Sequence, residues 1–145
     1  MQPREEQLAD LADLVLALGR AVKAEVAGDP ALVELSVTEV TVMRYIDHHP
    51  DVSPSAVAAA TGLQRSNMSR ALRDLEAKGM VERSVDPADS RQTLLRGTRK
   101  AERNLTRLRG IWARLLGGAL DASGEQHDIA SAVALLRALE RGVYG

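Results

Sequence analysis

Residues 53–97 read SPSAVAAATGLQRSNMSRALRDLEAKGMVERSVDPADSRQTLLRG. Three local patterns follow one another here: a short helix that ends at Gly62, a longer amphipathic helix that ends at Gly79, and two short strands around a polar turn. The apolar side of the short helix carries Val57 and Ala60. This order of elements predicts a winged helix-turn-helix, in which the longer helix is the one that would enter a DNA groove.

The longer helix, about Gln64–Lys78, has two chemically different faces. Its apolar residues recur at helical spacing and predict a buried face, made of Met68, Ala71, Leu72 and Leu75. The opposite face carries side chains that can bond base edges and phosphates, namely Gln64, Arg65, Ser66, Asn67, Ser69, Arg70 and Arg73. An ordinary surface helix is also polar on one side. Here, however, acidic residues come only towards the C-terminal end, which favours a DNA recognition helix.

The two strands, about Met80–Val85 and Thr93–Arg96, enclose a turn rich in Asp, Pro and Ser. Arg91 lies at the tip of this hairpin and can reach a minor groove or flanking phosphates. We expect Asp89 to orient Arg91 without touching DNA, because a phosphate repels a neighbouring carboxylate. A solvated turn is the alternative, and the position directly after a helix-turn-helix favours the DNA contact.

Two helices are predicted before this region. The first covers about Glu5–Val26, and Gly28 and Pro30 end it. The second opens with the capping box Ser36–Glu39, after which Val40, Met43 and Ile46 are expected to face the core. The first helix carries an apolar stripe at spacings of three and four, formed by Leu8, Leu11, Val15, Leu18 and Val22.

Two more helices are predicted after the hairpin, one over about Thr98–Leu120 and one that opens with a second capping box at Ser123. The first and last helices carry more apolar surface than a small DNA-binding head can cover, which predicts a dimer interface. Its predicted residues are Leu8, Leu11, Val15, Leu18, Val133, Leu136 and Leu139. The regions are then 1–34, an N-terminal dimerisation helix; 35–97, the winged helix-turn-helix; and 98–145, the C-terminal dimerisation helices.

Charge is unevenly distributed along the chain, whose formal net charge is −1. Residues 1–63 contain 4 Lys or Arg and 10 Asp or Glu, whereas residues 64–100 contain 9 basic and 5 acidic residues. A basic segment inside an acidic chain is typical of a local polyanion-binding surface. A solvated helix face with ordinary ion pairs would have the same composition, so charge alone does not decide between the two.

Several classes of function find no support in the sequence. The chain contains no Cys, which excludes disulfides, thiol catalysis and cysteine-ligated zinc. His48, His49 and His127 lie near predicted helix ends, without carboxylates at ligand spacing, so no metal site is predicted. No catalytic arrangement or phosphate-binding loop stands out, so we predict neither an enzyme nor a cofactor. The N-terminus lacks the features of a signal peptide, which predicts a cytoplasmic location.

The stretch from Leu35 to about Ala101 resembles the multiple-antibiotic-resistance-type (MarR) regulators. The resemblance lies in the Thr61-Gly62-Leu63 turn, the start of the recognition helix at Arg65–Arg70, the segment Leu75–Arg83 and the wing motif Asp86–Arg91. After the wing, the chain has Gly97–Ala101 where the family often has Leu-Thr-x-x-Gly. The resemblance implies a homodimer in which the terminal helices of two subunits interlock.

The sequence therefore predicts a mainly α fold with a small β-hairpin that binds double-stranded DNA as a homodimer. Two-fold protein symmetry implies a palindromic operator. Repression, and release by a small ligand of unknown identity, are what the family resemblance implies. The alternative is a protein–protein adaptor that keeps the winged helix without binding DNA, against which the polar recognition face and Arg91 argue.

Overall fold

The computed structural model describes residues 2–144 and confirms the predicted fold class of helices around a small antiparallel hairpin. The described part contains α1 (Pro3–Val26), α2 (Val37–His48), α3 (Pro54–Thr61), α4 (Arg65–Ala77), β1 (Val81–Val85), β2 (Thr93–Gly97), α5 (Arg99–Ser123) and α6 (Ile129–Tyr144).

The chain divides into two compact units. The helical unit comprises the residues up to Leu32 together with Leu105–Glu125, and so contains α1 and most of α5. The winged-helix unit comprises Val33–Asn104 and the residues from Gln126 onward, and so contains α2 to α4, the hairpin, the start of α5 and α6.

The winged-helix unit contains the hydrophobic core. Its largest fully buried side chains come from α2, α3, α4 and the hairpin, and they are Val42, Ile46, Val57, Leu72, Leu75, Met80 and Leu95. The hairpin pairs Val81 with Gly97 and Val85 with Thr93 in an antiparallel register. Since Val81 and Leu95 are both buried, the hairpin is joined to the helices by its own apolar side chains.

The starts of α2 and α3 follow the predicted chemistry. The Ser36 hydroxyl accepts a hydrogen bond from the Glu39 amide at 3.1 Å, and the Glu39 carboxylate accepts one from the Ser36 amide at 3.3 Å. The Ser53 hydroxyl accepts from the Ala56 amide at 3.2 Å. Helix α3 then ends at Gly62, whose φ of 69° lies in the left-handed region that glycine adopts without strain.

Two residues predicted to be core are exposed. Val40 is 50% exposed on α2, and the side chain that is fully buried there is Val42. The buried face of α2 runs through Glu39, Val42, Met43 and Ile46, and Val40 lies beside it. Ala60 on α3 is also exposed, while Val57 is buried as predicted.

The predicted start of the last helix at Ser123 is wrong. Helix α5 continues to Ser123, whose hydroxyl donates to the Leu120 carbonyl at 2.7 Å, and α6 begins only at Ile129. The residue before α6, Asp128, accepts hydrogen bonds from the Ser131 hydroxyl at 2.6 Å and the Ser131 amide at 3.4 Å. These hydrogen bonds lower the pKa of the Asp128 carboxyl, as expected for an acid at a helix start.

Candidate nucleic-acid interface

Helix α4 is fixed to the winged-helix unit by one apolar face. Met68, Ala71, Leu72 and Leu75 are all buried, as predicted, and Leu75 has no exposed surface. All seven of the side chains predicted to bind DNA from this region are exposed: Gln64, Arg65, Ser66, Asn67, Ser69, Arg70 and Arg73. The helix therefore presents its polar face outward as a continuous surface.

The polar groups on this face are not used to hold the fold together. Within residues 2–144, none of these seven side chains has a hydrogen bond or an ion pair to another part of the protein. Gln64 is the N-cap residue of α4, but its side chain makes no capping hydrogen bond. No acidic residue lies in the first turn. The hydrogen-bond donors and acceptors of these seven side chains can therefore exchange water for a partner outside the protein.

The C-terminal end of α4 is anchored by two lysines. The Lys78 ammonium donates to the Glu39 carboxylate at 2.7 Å and to the Glu34 carbonyl at 2.8 Å. The Lys100 ammonium donates to the Lys78 carbonyl at 2.7 Å, near the negative end of the helix. Sequence reasoning identified Glu39 only as a cap, whereas the carboxylate also ties α2 to α4.

Glu39 is 5% exposed, and burial opposes its ionisation. Hydrogen bonds from Lys78 and Ser36 outweigh this cost, so the pKa of the Glu39 carboxyl lies below its ordinary value. The charged pair ties α2 to the C-terminal end of α4 and is not part of the exposed face of α4.

The hairpin tip presents Arg91 to solvent. Its side chain is 93% exposed, and its Nε lies 3.7 Å from the Asp89 carboxylate. The same carboxylate accepts the Arg91 amide at 3.0 Å, so it supports both the turn and the guanidinium. A hydrogen bond from the Asp86 amide to the Gln92 carbonyl at 3.0 Å closes the turn. Asp89 thus lies within ion-pair distance of Arg91, and its role in orienting Arg91 stays a prediction.

A groove of about 900 Å³ separates α3 and α4 from the wing. Three arginines from three different elements line it: Arg65 on α4, Arg83 on β1 and Arg91 at the hairpin tip. Ser53 and Ser55 at the start of α3 form part of its opposite wall. The groove is open, and within residues 2–144 arginines are its only charged lining residues, which suits an extended anionic chain even though about half of the lining is apolar.

Arg83 is a lining residue that the sequence analysis did not select. Its Nε donates to the Glu76 carboxylate on α4, which points the side chain towards that helix. The signal was present in the strand pattern, because residues two apart share one face of a strand. The burial of Val81 against the core could have placed Arg83 on the same side.

The predicted interface residues lie on α1 and α6. Leu8, Val15 and Leu18 are 38%, 45% and 53% exposed on α1, where Leu11 is half-buried. On α6 the corresponding values are 40% for Val133, 44% for Leu136 and 36% for Leu139. Helix α1 has no fully buried side chain over its 24 residues.

His49, the residue that follows α2, packs against that helix. The His49 ring stacks on Tyr45 with the ring centroids 4.0 Å apart, and its Nδ1 lies 3.0 Å from the Tyr45 carbonyl. Within the described part of the chain, no group of three or more His, Asp or Glu could hold a metal ion. No helix over residues 2–144 combines the length and apolar character needed to cross a membrane.

Comparison with known proteins supports this interpretation of the surface. Residues 34–92 match the model of the MarR family. No curated protein matches the chain. A candidate transcriptional regulator from Pseudomonas aeruginosa PA01 is 28% identical in sequence, with a TM-score of 0.76 over 100% of this chain and 99% of that one.

Two further solved structures contain DNA. The transcriptional repressor CouR, bound to a 23-mer duplex, is 25% identical, with a TM-score of 0.64 over 92% of this chain and 89% of that one. FabT from Streptococcus pneumoniae, in complex with DNA, is 24% identical, with a TM-score of 0.61 over 96% of this chain and 94% of that one. The family match over residues 34–92, the fold and the exposed polar face of α4 agree: the chain is similar to the DNA-binding transcription regulators of the MarR family.

Proposed function

We propose that the protein represses transcription by binding, as a homodimer, to an approximately palindromic operator. In this proposal α4 enters the major groove, and the wing reaches the flanking backbone or minor groove. One observation carries it: the seven polar side chains of Gln64 and α4 have no partner within residues 2–144, and two of them, Arg65 and Ser69, line the same groove as the almost fully exposed Arg91.

The residue types on α4 suit direct base recognition. Arg70 can bond guanine through two donors, and Asn67 can bond adenine through its amide. The short Ser66 and Ser69 side chains allow the helix to approach the bases closely. We assign Gln64, Arg65 and Arg73 to the remaining base or phosphate contacts, since phosphate bonds fix the register of the helix in the groove.

The homodimer is supported by the state of α1. Helix α1 has no fully buried side chain, so packing within one subunit leaves most of its apolar stripe uncovered. Exposed leucines on α1 and α6 give two copies an apolar surface to share, so we assign residues 1–34 and 98–145 to dimerisation and 35–97 to DNA binding. Two-fold symmetry then demands two half-sites in the operator.

The proposal also covers how the protein represses transcription and how a small ligand ends the repression. CouR, which is similar in fold, is described as a repressor bound to DNA, and occlusion of a promoter is the simplest mechanism for such a complex. We propose that a small ligand weakens DNA binding and that the protein acts in the cytoplasm. Trp112 is the only tryptophan, so its fluorescence offers a readout for candidate ligands.

The test is a fluorescence-anisotropy titration of the protein with a duplex from upstream of its own gene and with a shuffled duplex of equal composition. The expected result is saturable binding with clear preference for the upstream duplex. Asn67→Ala should lose preference while keeping residual non-specific affinity. If no duplex binds even at low salt, the proposal fails and the protein–protein adaptor becomes the better explanation.

A further inference from the structure

A side-chain pair outside the predicted DNA-binding set joins the wing to the segment before α3. The Arg96 guanidinium on β2 donates to both carboxylate oxygens of Asp51: Nε to Oδ1 at 3.1 Å and Nη2 to Oδ2 at 2.6 Å. Two parallel hydrogen bonds fix direction as well as distance, which a single contact does not. The pair therefore holds the base of the wing in one orientation.

Backbone hydrogen bonds reinforce the same junction. The Asp51 amide donates to the Leu95 carbonyl at 3.1 Å, and the Leu95 amide donates to the Val52 carbonyl at 2.8 Å. Asp51 has a φ of 63° and is the only residue other than glycine with a positive φ between residues 2 and 144. Such a backbone is unfavourable for an L-residue and persists where its surroundings hold it in place.

The junction is next to both walls of the groove. Asp51 and Val52 directly precede Ser53 on one wall, and Leu95 and Arg96 follow Thr93 on the other. The separation between α3 and the wing is therefore set where these two segments meet. Since Arg91 lies on the wing and α4 packs beside α3, this separation determines whether both can contact one duplex at once.

We propose that the Asp51–Arg96 pair is a positioning device that sets the reach of the wing on DNA. Arg96 acts through Arg91 and is not itself a phosphate contact, because its guanidinium is already bonded to a carboxylate through two nitrogens. This inference depends on the proposed DNA binding by the wing.

The decisive variant is Asp51→Asn, because two explanations of the carboxylate predict opposite changes in DNA affinity. Asn tolerates a positive φ about as well as Asp, so the backbone should be retained. If the carboxylate only adds negative charge near DNA, its removal should tighten binding. If it positions the wing, its removal should weaken operator binding by up to about fivefold, the factor that corresponds to the upper end of the energy of an exposed ion pair.

Glu82→Gln is the matched control. Glu82 faces Arg96 across the hairpin, so the variant removes one negative charge near Arg96, as Asp51→Asn does, while the Asp51–Arg96 pair remains. We expect its affinity to be unchanged or slightly tighter. Circular dichroism at increasing temperature would show that both variants remain folded.

A double-variant cycle separates positioning from a general structural role. In the Arg91→Ala background, Asp51→Asn should cause no further loss, because the contact that it positions is already absent. Equal losses in both backgrounds, or unchanged or tighter binding by Asp51→Asn alone, would overturn the inference. Failure of the wild type to bind any duplex would instead overturn the proposed function, and the inference with it.

Discussion

Replacing Arg91 with Ala isolates the electrostatic contribution of the wing. The Arg91 side chain is 93% exposed and lies 3.7 Å from the Asp89 carboxylate, at the outer limit of an ion pair. Its removal should therefore cost little folding stability, since exposed pairs of this kind contribute at most about 1 kcal/mol. The variant loses one exposed cation at the hairpin tip of each subunit.

The size of the effect follows from counterion release. Each phosphate neutralised on duplex DNA contributes roughly 0.9 to the slope of log affinity against log salt concentration. One lost contact in each of two subunits should flatten that slope by about 1.8. Raising the salt from about 50 mM to about 200 mM should weaken binding by both proteins. The fold-loss in affinity of the wild type should be roughly ten times that of the variant.

The assay is an anisotropy titration of operator and scrambled duplex at several salt concentrations. Because backbone and minor-groove contacts carry little sequence information, affinity for both duplexes should fall together. Arg4→Ala is the control, since it removes an exposed arginine from α1. Unchanged affinity and an unchanged slope for Arg91→Ala would mean that the wing does not touch DNA.

Three further predictions concern assembly and stability. Leu18→Glu, at a half-exposed position of α1, should convert the dimer to a monomer in sedimentation equilibrium; a wild type that is already monomeric at micromolar concentration would refute the interface. Leu75→Ala should lower the free energy of unfolding by roughly 2–5 kcal/mol in urea titrations, whereas a loss below about 1 kcal/mol would contradict its burial. The Glu39 carboxyl has a lowered pKa, so its contribution to the free energy of unfolding is present above pH 4.5, its ordinary pKa, and is lost as pH falls through the pKa in the folded protein. Glu39→Gln should therefore make the free energy of unfolding less sensitive to acid in unfolding titrations. An unchanged pH profile would count against the Glu39–Lys78 pair.

Local sequence patterns were sufficient to predict most of the fold. The capping box at Ser36, the glycine end at Gly62 and the buried face of α4 depend on neighbours within one or two turns, and all are confirmed. The predicted start of α6 is wrong because Ser123 and Gln126 match the spacing of a capping box, whereas Ser123 is the last residue of α5. Capping patterns show where a helix could begin, and tertiary structure determines which of them is used.

Contacts between residues distant in sequence could not be predicted in this way. The pairs Glu39–Lys78 and Asp51–Arg96 join residues 39 and 45 positions apart. Neither member of the second pair stands out in composition or spacing. The polar face of α4 was accessible to prediction because a single helix presents it. The strand pattern could have placed Arg83 on the same face as Val81, but its position in the groove also depends on where the wing packs.

Selection of binding sites from a random duplex library tests the central claim most directly, because it measures whether the exposed face of α4 reads DNA sequence. The wild type should enrich a motif with two symmetric half-sites. Arg70→Ala should enrich a motif that has lost information at one matching position in each half-site, since a good arginine–base pair is worth roughly 1–3 kcal/mol of discrimination. No enrichment by the wild type, or identical motifs for both proteins, would contradict the assignment of α4 as the recognition helix and of Arg70 as one of its base contacts.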